Sequence, residues 1–204
     1  MLFAFVLCAG LVMTSCETAD PAGKDPNNSD IIVFADPIVK QSCVYVFDTD
    51  GDGEISYGEA AAVTDLSDIT LRLVKEFLTF DEFQYFINVK SIPNDLFKEC
   101  NYLESIVLPK SIQTIGSNAF RDCTSLTNIE FSEGLETIGK QAFQWCTGLT
   151  RVYCKPLTPP VMLSHSYLYP VFGNDCRIYV PHNSIELYKV AEYWKDYEIV
   201  GYDF

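Results

Sequence analysis

Five acidic residues crowd into the twelve positions from Asp48 to Glu59, within the stretch FDTDGDGEISYGEAAAV. Asp48, Asp50 and Asp52 stand at positions 1, 3 and 5 of that loop, and Gly53 stands at position 6, where the chain must turn sharply. Glu54 lends its backbone carbonyl at 7, Ile55 is the apolar residue at 8, Ser56 sits at 9, and Glu59 at 12 supplies a carboxylate able to bind through both oxygens. Carboxylates packed this densely repel one another unless a hard cation lies among them, and so many oxygen donors suit calcium. The expectation is one Ca2+ held by Asp48, Asp50, Asp52, the Glu54 carbonyl and Glu59, with Ser56 acting directly or through water.

Two helices must position that loop, which is identified as an EF-hand loop. Asp36-Pro37 opens the entering helix, with a capping carboxylate and a proline at the first helical position, and it runs through Phe47. Tyr57 to Val63 reads as the exiting helix. The loop is single, whereas sensors open a groove with paired loops, so its expected role is structural.

Downstream, the chain repeats itself every 23 residues. Phe97, Phe120 and Phe143 keep that spacing, as do Cys100, Cys123 and Cys146, then Leu103, Leu126 and Leu149. Ile106, Ile129 and Val152 follow, with Leu108, Phe131 and Cys154, and glycines at 116 and 139. Such a period belongs to a solenoid whose turns bury one another's apolar ladders. The pattern L-x-x-I-x-L-P-x-S-I-x-x-I-G-x-x-A-F-x-x-C, from Leu103 to Cys123, resembles the BspA-like class of leucine-rich repeats found in surface proteins of Bacteroides-type bacteria and treponemes. Pro93 in place of a glycine and Cys154 in place of a strand leucine depart from it near the array ends. The segment from Phe34 through the acidic loop, followed by FDEFQYF, is similar to the module that precedes these repeats in Bacteroides-type lipoproteins. The resemblance implies adhesion to host or bacterial surfaces.

Within each copy LESIVL, LTNIEF and LTRVYC alternate as half-buried strands do. The odd positions, Ser105, Asn128 and Arg151 beside Val107, Glu130 and Tyr153, should face solvent and form a short, continuous exposed sheet. A protein or host-surface ligand is its expected partner, with a polar spacer as the plainer role. The cysteine column repeats because the fold does; Cys43, Cys100, Cys123, Cys146, Cys154 and Cys176 read as buried free thiols, with a disulfide between neighbours as the other reading in an exported chain.

Beyond Lys155 the repeat breaks. Cys176 to Val180 reads as a strand, Asn183 with Glu186 as a helix cap, Ile185, Tyr188, Ala191 and Trp194 as one helical face, and YEIVGYDF as a last strand. These form an α+β C-terminal cap. His165, Tyr167 and Tyr169 offer an alternative, a glycan platform for an accessory lipoprotein. His165 and His182 are the chain's two histidines, and no GxSxG, HExxH or glycine-rich phosphate loop occurs, so no enzyme is expected. A Cys176/His182 pair is the one arrangement that could do nucleophilic chemistry.

The chain opens MLFAFVLCAGLVMTSC, an apolar run shorter than the roughly 20 residues that span a bilayer. VMTSC resembles a bacterial lipobox, which implies acylation of Cys16 and an outer-membrane, surface-exposed lipoprotein. ETADPAGKDPNNSD reads as a flexible tether. Over all 204 residues, 14 Lys+Arg stand against 28 Asp+Glu, a net charge of −14 that argues against nucleic acid as partner. The excess is concentrated early: Cys16 to Asp68 holds 12 acids against 2 lysines, a net of −10.

These readings give an α/β solenoid: a short leucine-rich-repeat array with parallel strands, an α-helical EF-hand-like N-terminal module and an α+β cap. The divisions fall at 1–15 (signal peptide), 16–30 (lipidated tether), 31–78 (N-terminal module), 79–160 (repeats) and 161–204 (cap), in a monomer.

Overall fold

The computed structural model describes residues 30–69, 75–163, 171–173 and 175–204. The leader, Cys16 and the tether through residue 29 lie outside the described residues, as do His165, Tyr167 and Tyr169.

Helix α1 (Pro37–Phe47) starts where the sequence signals it, with the Asp36 carboxylate accepting the amides of Ile38 and Val39 and proline in the first turn. Helix α2 (Tyr57–Ala62) carries a reciprocal cap, in which the Ser56 hydroxyl accepts the Glu59 amide while the Glu59 carboxylate accepts the Ser56 amide.

Among the described residues ten short strands follow: β1 (Thr79–Phe80), β2 (Ser91–Ile92), β3 (Ser105–Ile106), β4 (Thr114–Ile115), β5 (Asn128–Phe131), β6 (Thr137–Ile138), β7 (Arg151–Cys154), β8 (Val161–Met162), β9 (Arg177–Pro181) and β10 (Glu198–Tyr202). Every pair is parallel. One sheet runs β5–β7–β9–β10, a second β2–β4–β6–β8, and β1 pairs with β3. The register of β5 on β7 and of β4 on β6 is 23 residues, Asn128 against Arg151 and Thr114 against Thr137, so the sequence period is one turn of the coil.

The third side of each turn is built without strands. Asp95, Asn118 and Gln141, and again Glu99, Asp122 and Trp145, hold φ between 55° and 64°. That left-handed backbone lets amides reach the next turn: Phe97 donates to the Ala119 carbonyl, Glu99 to Arg121, Phe120 to Ala142 and Asp122 to Gln144, at 2.7–2.9 Å. Behind it the phenylalanine ladder stacks, Phe97 on Phe120 at 5.0 Å and Phe120 on Phe143 at 5.1 Å. The thiols beside it fill space and donate across turns, Cys123 to the Phe97 carbonyl and Cys146 to the Phe120 carbonyl. All six cysteines of the described residues are free and buried.

The glycine column explains the Pro93 departure. A Cβ on Gly139 would lie 2.5 Å from the Gly116 carbonyl carbon, and one on Gly116 would lie 2.7 Å from that of Pro93. Each glycine makes room for the turn before it, and Pro93 stands at the head of the column.

Three expectations about the strands and the C-terminus are corrected. The exposed sheet is not continuous: β3 ladders to β1 and leaves the β5 sheet separate, and nothing in the neighbouring side chains explains the gap. At the other end, β9 and β10 prolong that sheet, with Arg151 opposite Arg177 and Arg177 opposite Glu198. Asn183 does not cap a helix; it lies in a 3₁₀ turn (His182–Ser184), and α3 (Ile185–Val190) begins after Ser184 with no side-chain cap. That helix stops before Trp194, which sits in a separate 3₁₀ turn (Trp194–Asp196). Both large residues of its predicted face are nevertheless buried and satisfied: the Tyr188 hydroxyl donates to the Pro156 carbonyl and the Trp194 indole to the Pro160 carbonyl, each at 2.8 Å.

Candidate functional site

Two regions carry the residues singled out from the sequence. In the acidic loop the aspartates are shaped by the loop's own amides. Asp48 accepts from Gly51 at 2.7 Å and Gly53 at 3.0 Å, Asp50 from Asp52 at 3.1 Å, and Asp52 from Glu54 at 2.8 Å. Gly51 and Gly53 take φ of 80° and 83°, which a residue with a Cβ rarely adopts. The three aspartates each bring a carboxylate oxygen within 4.8 Å of the others. A hard cation fits that donor set.

Glu59 stands outside the triad. Its carboxylate accepts the Thr49 amide and hydroxyl on one oxygen and the Ser56 amide and hydroxyl on the other, at 2.7–2.9 Å. The Ser56 and Thr49 amides hold its pKa down to about 2, so it remains an anion at the loop's exit. Glu54 turns its side chain away to Lys40, 2.6 Å distant, leaving the carbonyl as its contribution. Ser56 spends its hydroxyl on the helix cap.

The loop is fastened on both sides. The Ile32 amide donates to the Ile55 carbonyl at 2.7 Å and the Tyr57 amide to the Asp30 carbonyl at 2.8 Å, an antiparallel bridge across Ile31 and Ser56. The module is also tied to the first solenoid turn. Asp36 accepts the Leu78 amide on its second oxygen, Glu82 accepts the Ala35 amide, and Phe47 packs edge-on against Phe86.

The second region is the outer face of the β5–β7–β9–β10 sheet. Asn128, Glu130 and Arg151 are exposed and Tyr153 is half-buried among aromatics, whereas Ser105 and Val107 lie across the gap on β3 and just beyond it. The sequence reading missed that β9 and β10 extend this face. They add Arg177, Tyr179, Glu198 and Tyr202, and the alternation of RIYV after the broken repeat was the available signal. Tyr153 stacks on Tyr179 at 4.9 Å, and Tyr202 meets both edge-on. Lys155 pairs with Glu130 at 2.6 Å and Arg177 with Glu198 at 2.8 Å.

The Cys176/His182 pair is not assembled. The two residues flank β9 at opposite ends, Cys176 is buried with its pKa pushed up to about 12 by that burial, and His182 faces Asp203. A protonated, buried thiol is no nucleophile.

This geometry agrees with what the chain resembles. Residues 75–159 match the family described as BspA type leucine-rich-repeat region, in six copies. The array is a leucine-rich-repeat solenoid. Among solved structures, a leucine-rich-repeat protein from Bacteroides ovatus ATCC 8483 is 23% identical with a TM-score of 0.38, over 60% of this chain and 33% of that one. The T. pallidum leucine-rich-repeat protein is 20% identical with a TM-score of 0.38, over 61% of each chain. The alignments therefore span a third to three-fifths of those proteins' lengths. No curated protein matches. Among the described residues no helix is long and apolar enough to cross a membrane.

Proposed function

We propose that this chain is a surface-displayed binding module that engages a partner protein through the outer face of the β5–β7–β9–β10 sheet. The solenoid is a protein-binding or adhesion type of architecture, and it buries the inward residues of every turn while leaving one face for recognition. The observation that carries the reading is that this face gathers the residue types that dominate interfaces, Arg151 and Arg177 beside Tyr153, Tyr179 and Tyr202, on four hydrogen-bonded strands. In this proposal Cys16 carries the lipid anchor to the outer membrane, the residues up to 29 are the tether, and the Asp48–Glu59 loop binds one structural Ca2+ that steadies the N-terminal end.

Immobilised host matrix proteins and bacterial surface proteins, screened with the purified chain, test the reading. Once a partner is captured, Tyr153→Ala and Arg151→Ala should each weaken it by about tenfold or more, since interface tyrosines and arginines are worth roughly 2 kcal/mol. Substitution of the exposed Arg151 should leave the melting temperature unchanged, while that of Tyr153 should lower it modestly through its lost ring contacts with Tyr179 and Tyr202. Affinity indifferent to both substitutions would remove the site from this face.

A further inference from the structure

Arg151 and Arg177 lie directly opposite each other on neighbouring parallel strands, about 4.8 Å apart in backbone. They are two of the chain's four arginines, on a protein of net charge −14. Like charges placed opposite in a sheet destabilise it, so this pairing carries a cost that only Arg177 offsets with an acidic neighbour. Glu198 takes the Arg177 Nε, while Arg151 makes no ion pair among the described residues. Both line a shallow depression of about 490 Å³ with Thr150, Asp175, Tyr179 and Glu198, so Arg151 is its one arginine without an acidic partner among the described residues.

The aromatic cluster beside the arginines points to the same ligand charge. Tyr153 and Tyr179 turn one face each on the other, 19° from parallel, and Tyr202 meets both edge-on, which leaves ring edges beside the arginine pair. Ring edges carry partial positive charge and favour anions. A sugar stacks on ring faces, and here two of those faces are already occupied. Further along the strands, Tyr202 and Phe204 are 42% and 49% exposed and border a groove of about 960 Å³ with Pro156, Leu157 and Val161.

We propose that Arg151 and Arg177, with the tyrosine edges beside them, form a carboxylate subsite for an extended acidic peptide segment. The Tyr202–Phe204 groove takes an apolar side chain of the same peptide. From Arg177 to Pro181, which pairs with Tyr202, is four residues of strand, or about 13 Å. An extended ligand laid along β9 therefore places its acid and its apolar residue about four positions apart. Asp175, in the same depression, opposes the incoming carboxylate. The inference rests on the sheet-face reading and names the chemistry of its partner.

A random twelve-residue peptide library, selected on the immobilised full chain and followed by anisotropy titration of the enriched peptides, tests it. The expected winners carry Asp or Glu with an apolar residue four positions away. Arg151→Gln, which leaves the Arg177–Glu198 pair intact, and the double variant with Arg177→Gln should weaken them at least tenfold. Asp175→Asn should tighten them, and Ser105→Arg, across the sheet gap, should change nothing. Peptides that need Tyr153 but are neutral or basic, and ignore both arginines, would overturn the acidic subsite while leaving the sheet as a binding face. Peptides indifferent to every outer-face substitution would overturn both. Arginine-dependent retention of oligogalacturonate with no peptide enriched would overturn the peptide class.

Discussion

Asp36 joins three pieces of the structure, and its removal is the sharpest test of how they are joined. One carboxylate oxygen caps α1 through the Ile38 and Val39 amides, the other accepts the Leu78 amide at 2.8 Å, and the residue is only 7% exposed. Loss of an N-cap costs about 1 kcal/mol. Leaving the partly buried Leu78 amide without its acceptor costs about 1–3 kcal/mol more. Asp36→Ala should therefore destabilise by about 2–4 kcal/mol, a fall of roughly 5–15 °C at the 2–4 °C per kcal/mol expected for this chain length. Asp36→Ser keeps a capping oxygen but cannot reach Leu78, so it should lose only the second part. Urea unfolding followed by far-ultraviolet circular dichroism measures both. Tryptophan fluorescence supplies a useful contrast, because Trp145 and Trp194 lie far along the array from α1. Nearest-neighbour coupling in a solenoid predicts a larger shift in the helical signal than in the fluorescence. An Asp36→Ala cost below about 0.5 kcal/mol, or an Asp36→Ser cost equal to it, would refute the account of the junction.

Three further outcomes follow from the same geometry. Calcium at a hundredfold excess over its Kd should add about 2.7 kcal/mol, so EDTA should lower the melting temperature and Asp48→Ala or Glu59→Ala should abolish the difference; no thermal shift at millimolar calcium would sink the metal. Gly139→Ala drives a Cβ into the Gly116 backbone and should cost about 1–3 kcal/mol, whereas Gly134→Ala, with nothing nearer than 3.9 Å, should cost far less on the same urea curve. Burial raises Cys100, Cys154 and Cys176 to about 12 against an unfolded value near 8.5; their contribution is complete below about pH 8.5 and is lost as pH climbs from there towards 12, so unfolding midpoints should drop across that window, and a thiol reagent at pH 8 should label these cysteines only upon unfolding.

Where the sequence was informative, a single local rule fixed the answer. The 23-residue columns became turns because each inward position must meet its copy one turn away, as Phe97, Phe120 and Phe143 do. Asp36-Pro37 named its helix because capping needs only neighbours in the chain, and the Ser56/Glu59 pair, read from the sequence only as loop ligands, caps the second helix by the same local rule. The third side of the coil was illegible for the opposite reason. Its left-handed positions hold Asp, Glu, Asn, Gln and Trp, with no glycine to announce them. Such backbone costs about 1 kcal/mol or more per residue and persists because it releases amides to bond the next turn, a gain invisible until the turns are stacked. The outer face was half legible. Asn128, Glu130, Arg151 and Tyr153 were found by alternation, but Arg177, Tyr179 and Tyr202 joined them from strands 26 and 21 residues apart, outside the repeat period. The glycan platform at His165, Tyr167 and Tyr169 lies outside the described residues.

The acidic loop also indicates what calcium here can and cannot do. Exposing an apolar groove would mean lifting Phe47 off Phe86 and uncovering Ile55 and Ala60, all 9% exposed or less. Burial of one such Phe or Ile is worth about 1.5–3 kcal/mol, so uncovering Phe47, Phe86 and Ile55 together costs about 5–9 kcal/mol. A hundredfold excess of calcium supplies only about 2.7 kcal/mol, and a ligand shifts an equilibrium by no more than its differential affinity. The loop's free edge is moreover already taken: Asp30 and Ile32 bond the backbone around Ile55, closing it with the chain's own N-terminal segment. A cation bound there would therefore rigidify an end of the solenoid, not open it. A dye that reports apolar surface should give the same signal with calcium as with EDTA, at a temperature where both forms are folded.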